Sequence, residues 1–133
     1  FDFIWSHTVL QHIDRTELVE TLKELRRVIR PDGIASHEVD FRDMLTGSAN
    51  HLTMPDWLWN LGVLKSGNVY TNRVLRSDLI RVCEKVGFEV EVVEQSMWAK
   101  EPVPRANLQP RFRKAPEQDL LTESMQILLR PKN

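Results

Sequence analysis

The sequence has few of the residues that mark covalent or phosphate-binding sites. Its one cysteine, Cys83, excludes an internal disulfide, and this fits a reducing compartment such as the cytoplasm. Its five glycines form no G-x-G pattern, so the chain lacks the glycine-rich loop with which a backbone approaches a nucleotide closely. No stretch approaches the roughly 20 apolar residues that span a bilayer, and no signal peptide is visible.

Charge and histidine spacing exclude further classes of partner. The net charge is −1, so no global field favours nucleic acid or an anionic membrane, and neither is predicted as a partner. The four histidines show no compact ligand spacing such as H-E-x-x-H, so no metal site is predicted. The length of 133 residues predicts a single domain over 1–133. Because the chain begins with Phe1 inside a strand-like segment, we expect it to be part of a longer protein.

The first third of the chain has the pattern strand, helix, strand. Phe1–Trp5 is apolar and predicts a buried strand, which opens into the small and polar residues Ser6–Thr8. Apolar residues at helical spacing predict a helix over Asp14–Ile29. The turn Pro31–Gly33 then leads into a second strand, Gly33–Val39. This order favours a right-handed crossover between parallel strands, whose carboxyl ends form the ligand edge of open α/β sheets.

The remainder predicts one more helix and two more strands. The helix is expected over Ser77–Val86 with Ser77 as its N-cap. A strand follows directly at Phe88–Glu94, and the final strand is expected at Leu121–Arg130. The connector between these strands is rich in proline. It is also locally basic, which suits either a phosphate-bearing substrate or a solvated loop; the basic residues are Arg105, Arg111, Arg113 and Lys114.

The segment 41–76 is a long and irregular connection. A connection of this length inside a compact domain is more often functional than accidental. Because it leaves the carboxyl end of the second strand, we expect it to fold over the ligand edge as a lid. Its aromatic anchors would be Trp57, Trp59 and Tyr70, although packing onto the core is an alternative role for the tryptophans.

Three stretches resemble class I S-adenosylmethionine (SAM)-dependent methyltransferases. The opening FDFIWSHTVLQHI resembles the fourth-strand motif of that family, with matches at Phe1, Asp2, Ile4, Ser6, Val9, Leu10, His12 and Ile13. The segment LRRVIRPDGIASHEVDF resembles the turn and fifth strand that follow. The run NVYTNRVLRSDLIRVCEKVGFEVEVVE resembles a subset of the family, with matches at Tyr70, Thr71, Asn72, Arg73, Ser77, Asp78, Glu84, Gly87, Phe88, Glu89 and Val90.

The resemblance implies a fold and a reaction. The fold is α/β, a partial Rossmann-like sheet in the order first, second, final and third strand, with the final strand antiparallel and helices packed on the sheet. The chain matches the C-terminal half of the family and lacks its glycine-rich SAM loop. The longer protein would transfer a methyl group from SAM to a small-molecule or sugar-type acceptor. The alternatives are a non-catalytic α/β binding or assembly module and another Rossmann-like enzyme.

The resemblance also implies a set of site residues. Ser6 and His7 follow the first strand, where the family contacts the methionine part of SAM. His7 or His37 could act as the catalytic base, because histidine titrates near neutral pH. The residues expected to hold the acceptor are Glu38, Asp40, Trp59 and Tyr70. For each histidine, a structural or solvent-facing role is the alternative.

Two further expectations follow from the missing half. Without the glycine-rich loop, this chain should bind SAM weakly or not at all. The first strand should lie on an open edge of the sheet, where unpaired backbone groups and apolar side chains recruit other chains. We therefore expect a homo-oligomer through that edge, most simply a two-fold dimer.

Overall fold

Four strands form one mixed sheet in the computed structural model, which describes residues 1–133. The strands are β1 (Phe3–His7), β2 (Ile34–Asp40), β3 (Phe88–Met97) and β4 (Thr122–Pro131). Their order across the sheet is β1-β2-β4-β3. β1 pairs with β2 in parallel, and β4 runs antiparallel to both β2 and β3. The predicted order and strand directions are confirmed.

Two long helices cover one face of this sheet. They are α1 (Leu18–Val28) and α4 (Arg76–Val86), and each sends a stripe of apolar side chains into the same core. The fully buried members of that core include Leu22, Cys83, Phe88, Ile127 and Leu129. Alternate residues of β2 and β4 point into this core because side chains alternate across a strand. Helical periodicity therefore predicts the helix side of this layer correctly.

Shorter elements and turns gather beyond the carboxyl ends of β1 and β2. They include α2 (Asp56–Trp59), α3 (Gly62–Lys65), α5 (Glu117–Leu121) and a 3-10 turn at Leu10–His12. A second apolar cluster, with Leu52, Leu108 and Phe112 at its centre, holds the connector of 98–116 against the segment 41–76. No helix is long and apolar enough to cross a membrane.

The first strand is shifted by two residues from its predicted position. It covers Phe3–His7, so Ser6 and His7 lie inside the strand and do not form a turn after it. Their partners in the parallel register are His37 and Glu38. The difference arises because backbone pairing with β2 continues through Ser6 and His7. The sequence prediction ended the strand where the side chains became polar.

The start of α4 is capped by a residue from another helix. Ser77 was expected to be the N-cap, but the helix begins one residue earlier and Ser77 lies in its first turn. The carboxylate of Asp119 accepts hydrogen bonds from the Ser77 backbone N–H, at 3.0 Å, and from the Ser77 hydroxyl. At the other end, Gly87 follows the helix in a left-handed conformation with φ of 109°.

Removal of this cap should destabilise the fold. Asp119→Ala deletes the acceptor for two donors of Ser77, so we expect the free energy of unfolding to fall by about 1–2 kcal/mol. Urea denaturation measures the change. Glu117→Ala, at an exposed position of α5, is the matched control and should cost less than half as much. Equal losses in the two variants would contradict the capping role.

Candidate functional site

The parallel register of β1 and β2 brings four of the predicted site residues into two contacts. The Ser6 hydroxyl lies 2.6 Å from His37 Nδ1, and His7 Nδ1 lies 2.8 Å from Glu38 Oε2. Because neighbouring residues of a strand point to opposite faces, these two contacts lie on opposite sides of the sheet. Ser6 and His37 share the α1 face with Leu22, whereas His7 stacks against the exposed ring of Trp5.

His7 and Glu38 form an accessible pair. Their side chains are 54% and 44% exposed. A carboxylate can only accept a hydrogen bond, so Nδ1 of His7 carries a proton, and in the neutral ring Nε2 presents its lone pair. This is the orientation that a general base requires.

His37 lies on the opposite face of the sheet from this pair and, unlike it, is buried. Its residue is 3% exposed, and burial lowers the pKa of its imidazole to about 4. The ring is therefore neutral near pH 7 and weakly basic, and its Nε2 atom has no hydrogen-bond partner.

The backbone is strained where β1 ends. Thr8 adopts a left-handed conformation, with φ of 53°, and its N–H donates to the carbonyl of Glu38 at 2.9 Å. A β-branched residue rarely adopts this conformation, and such strain is concentrated at functional sites. The feature marks the end of β1 as a candidate ligand edge.

Trp59 and Tyr70 of the segment 41–76 stack against each other. Their ring centroids are 6.2 Å apart, and Trp59 Nε1–H donates to the carbonyl of Thr71 at 2.7 Å. Both residues are buried overall. Their accessible atoms line a polar cavity of about 340 Å³, whose walls also include Asp14 and Lys65. We call this the aromatic cavity. Burial, followed by the nearby charge of Asp14, raises the pKa of the Tyr70 hydroxyl.

Trp57, the third predicted anchor, and Asp40 are placed differently. Trp57 is 71% exposed, so most of its surface faces solvent. Asp40 forms an ion pair with Arg42 at 2.8 Å and also accepts from the Arg42 backbone N–H. The structure therefore brings Trp59 and Tyr70 together in one cavity, whose walls do not include Glu38 or Asp40.

A short polar segment holds the aromatic cavity against the turn that follows β1. The side-chain amide of Asn72 donates to the carbonyls of Leu10 and Ile13 at 2.8 and 2.9 Å. The imidazole of His12 lies with Nδ1 2.8 Å from the carbonyl of Tyr70. A carbonyl only accepts, so Nδ1 of His12 carries a proton, and in the neutral ring its Nε2 lone pair is available. His12 matched the opening motif, but nothing in the sequence alone showed this orientation.

Arg73 is the main structural residue of the segment 41–76. Its side chain is 1% exposed, donates to the carbonyls of His51 and Met54, and pairs with Asp56. The rings of Trp59 and Phe112 lie over its guanidinium at 5.4 and 5.5 Å. Burial and then Arg111 lower its pKa to about 10. Arg73 matched the family motif, and the structure shows that it joins the segment to the later connector.

No metal centre is formed by the acidic and histidine side chains. No group of three or more His, Cys, Asp and Glu side chains is arranged to hold a metal ion.

Buried histidine should make the stability depend on pH. A pKa that falls from 6.5 to about 4 on folding means that the unfolded chain binds more protons between these values. The contribution of His37 is fully present above pH 6.5 and should decline by about 3 kcal/mol as the pH falls to about 4. Burial also lowers the pKa of His51 to about 4, so it adds a similar slope.

Urea denaturation across this pH range tests the effect. His37→Gln should remove part of the slope between pH 6.5 and 4, and His37→Gln/His51→Gln should remove more. An unchanged slope in the double variant would show that neither histidine is neutral and buried in solution.

Comparison with known proteins supports one family. A family described as a methyltransferase domain matches residues 1–36. No curated protein matches the sequence significantly. A solved chain from the complex between the Haloferax volcanii Trm112 methyltransferase activator and a methyltransferase aligns with 99% of this chain, at 14% identity and a TM-score of 0.49.

A second solved structure shares the fold more closely. Haemonchus contortus phosphoethanolamine N-methyltransferase 2, in complex with phosphomonomethylethanolamine and S-adenosylhomocysteine, aligns with 99% of this chain at 14% identity and a TM-score of 0.52. This chain spans 54% of the first structure and 33% of the second. The matched segment folds as β1, α1 and the start of β2, as the opening motif predicted. The family match and the shared fold together confirm the predicted resemblance to a Rossmann-like methyltransferase.

Proposed function

We propose that this chain is part of a SAM-dependent methyltransferase that acts on a small molecule. The observation that carries the proposal is the methyltransferase-domain match over residues 1–36, a segment that includes the strained residue Thr8 at the end of β1. When bound, SAM supplies a methyl group on a positively charged sulfur, ready for in-line displacement. The chain then has to orient the acceptor and remove its proton.

The residues present fit part of the cofactor. Ser6 and His7, near the carboxyl end of β1, are the side chains that we assign to its methionine part. The sequence contains no glycine-rich loop to bind the adenosine half of SAM. These residues therefore offer contacts to the methionine half alone. This partial fit supports the resemblance to the second half of a methyltransferase domain.

We assign proton removal to His7 and orientation of its ring to Glu38. The contact of 2.8 Å fixes Nδ1 as the donor, so Nε2 faces away from Glu38 as the base. His37 stays a predicted base, although its burial and lowered pKa oppose that role. The second candidate is His12, because its Nδ1 contact with the Tyr70 carbonyl leaves Nε2 available next to the aromatic cavity.

We assign acceptor binding to the aromatic cavity. Trp59 and Tyr70 offer flat apolar surfaces, and the charged groups of Asp14 and Lys65 offer polar contacts to one small molecule. Its volume of about 340 Å³ suits a small metabolite. In this proposal the segment 41–76 acts as the lid, with Glu38 and Asp40 as further acceptor contacts from the end of β2.

Histidine substitutions in the complete gene product test the catalytic assignment. His7→Asn should lower kcat by about 100-fold or more while the affinity for SAM stays within threefold. Glu38→Gln keeps a hydrogen-bond acceptor but not the charge, and should cost less. Full activity in His7→Asn together with a large loss in His12→Asn would contradict the role of His7 and identify His12 as the base.

SAM binding, measured on residues 1–133 and on the complete gene product, separates this proposal from a non-catalytic module. With no glycine-rich loop, this chain should show weak or no SAM binding by calorimetry. Low-micromolar affinity, about −8 kcal/mol, would show that the missing loop is dispensable. If the complete gene product also fails to bind SAM, the alternative of a binding or assembly module is favoured.

We also propose that residues 1–133 self-associate through β1. β1 is an edge strand, and Phe1, Phe3 and Trp5 are 72%, 61% and 65% exposed. A groove of about 520 Å³ lies between this strand and α1 and is lined mainly by apolar side chains. An open apolar edge of this kind favours pairing with a second copy.

Sedimentation at micromolar concentration tests the association. The wild-type chain should sediment as a dimer, and Trp5→Lys should shift it to monomer. Val63→Lys, at a site 78% exposed on α3, is the control and should leave the dimer intact. A wild-type monomer would contradict the proposal.

The compartment that we propose is the cytoplasm. Cys83 is the one cysteine and is fully buried, and burial raises the pKa of its thiol to about 12. Such a thiol serves as a small apolar side chain of the core and has no disulfide partner in the chain.

A further inference from the structure

A second cavity, of about 300 Å³, lies between the start of α1, the side of α4 and the later connector. Five cationic residues line it, together with a single acidic residue, Asp78. The cations are Arg15, Arg73, Arg81, Lys85 and Arg111. We call this cavity the basic groove.

Local ion pairs leave much of this positive charge uncompensated. Arg81 pairs with Asp78 at 2.7 Å. Arg73 and Arg111 share one carboxylate outside the groove, that of Asp56. Arg15 and Lys85 have no carboxylate within 4.0 Å, and both residues are exposed. The groove therefore concentrates positive charge in a chain whose net charge is −1.

The composition of its walls restricts the ligand. Arg15 and Arg111 also line the aromatic cavity, but the basic groove lacks Trp59 and Tyr70. Its apolar surface comes instead from aliphatic side chains, which are those of Leu18, Val19, Val74 and Val82. Guanidinium groups bind phosphate oxygens in pairs of parallel hydrogen bonds, and an aliphatic floor accepts a small apolar body.

We propose that the basic groove binds a small organic phosphate. Arg15, Lys85 and Arg111 contact the phosphate oxygens, and the ester group lies on Leu18, Val74 and Val82. The concave shape and the apolar floor favour a compact ester over an extended polyanion, which would need a flat or continuous basic surface. The groove adjoins the aromatic cavity and shares Arg15, Arg73 and Arg111 with it, whereas Lys85, Leu18 and Val82 line the groove alone.

Calorimetry at low ionic strength tests the proposal, with phenyl phosphate and inorganic phosphate as the probes. Both should bind, and phenyl phosphate should bind more tightly because its ring adds apolar contact. Arg15→Gln/Lys85→Gln should weaken phenyl phosphate at least about tenfold, since two charge-assisted contacts are lost. Both residues are exposed, so the variant should fold.

The matched control is Lys100→Gln/Lys114→Gln, which removes the same charge from exposed positions outside the groove. It should change the affinity less than twofold. Equal weakening by the two double variants would show a non-specific charge effect and overturn the proposal. Binding of an acidic peptide or an oligonucleotide, with no binding of either phosphate probe, would overturn it in favour of a macromolecular partner.

Discussion

The parallel pairing of β1 with β2 is the constraint on which the rest of the structure depends. It aligns Ser6 with His37 and His7 with Glu38, and it brings the carboxyl ends of both strands to one edge. The chain leaves that edge twice, through the turn at Leu10–His12 and through the segment that begins after Asp40. Every polar group that we assign to the reaction therefore lies on, or is held against, these two strand ends.

The second constraint is the contact between the segment 41–76 and the turn after β1. Asn72 bonds to two carbonyls of that turn, and Arg73 crosses between two aromatic rings to reach Asp56. The two terminal nitrogens of this buried guanidinium donate to the carbonyls of His51 and Met54 and to Asp56, and these partners fix the path of the backbone. The aromatic cavity exists because Trp59 and Tyr70 are held by the same contacts.

Sequence reasoning predicted the sheet order and the core, but not the details of the site. Apolar periodicity located α1 and α4, and the family resemblance supplied the strand order. The shift of β1 to Phe3–His7 could not be read from polarity, because pairing with β2 extends the strand through polar residues. The cap on Ser77 comes from Asp119, 42 residues away, and no local pattern contains that information. The charge of the basic groove likewise comes from three separate parts of the chain.

The central claim is that the end of β1 belongs to a SAM site. A structure of the complete gene product with S-adenosylhomocysteine tests it most directly. The account predicts that the amino-acid part of this ligand lies within hydrogen-bond distance of Ser6, His7 or Thr8, at the strained end of β1. A ligand bound without contact to these residues, or at the opposite end of the sheet, would contradict the account.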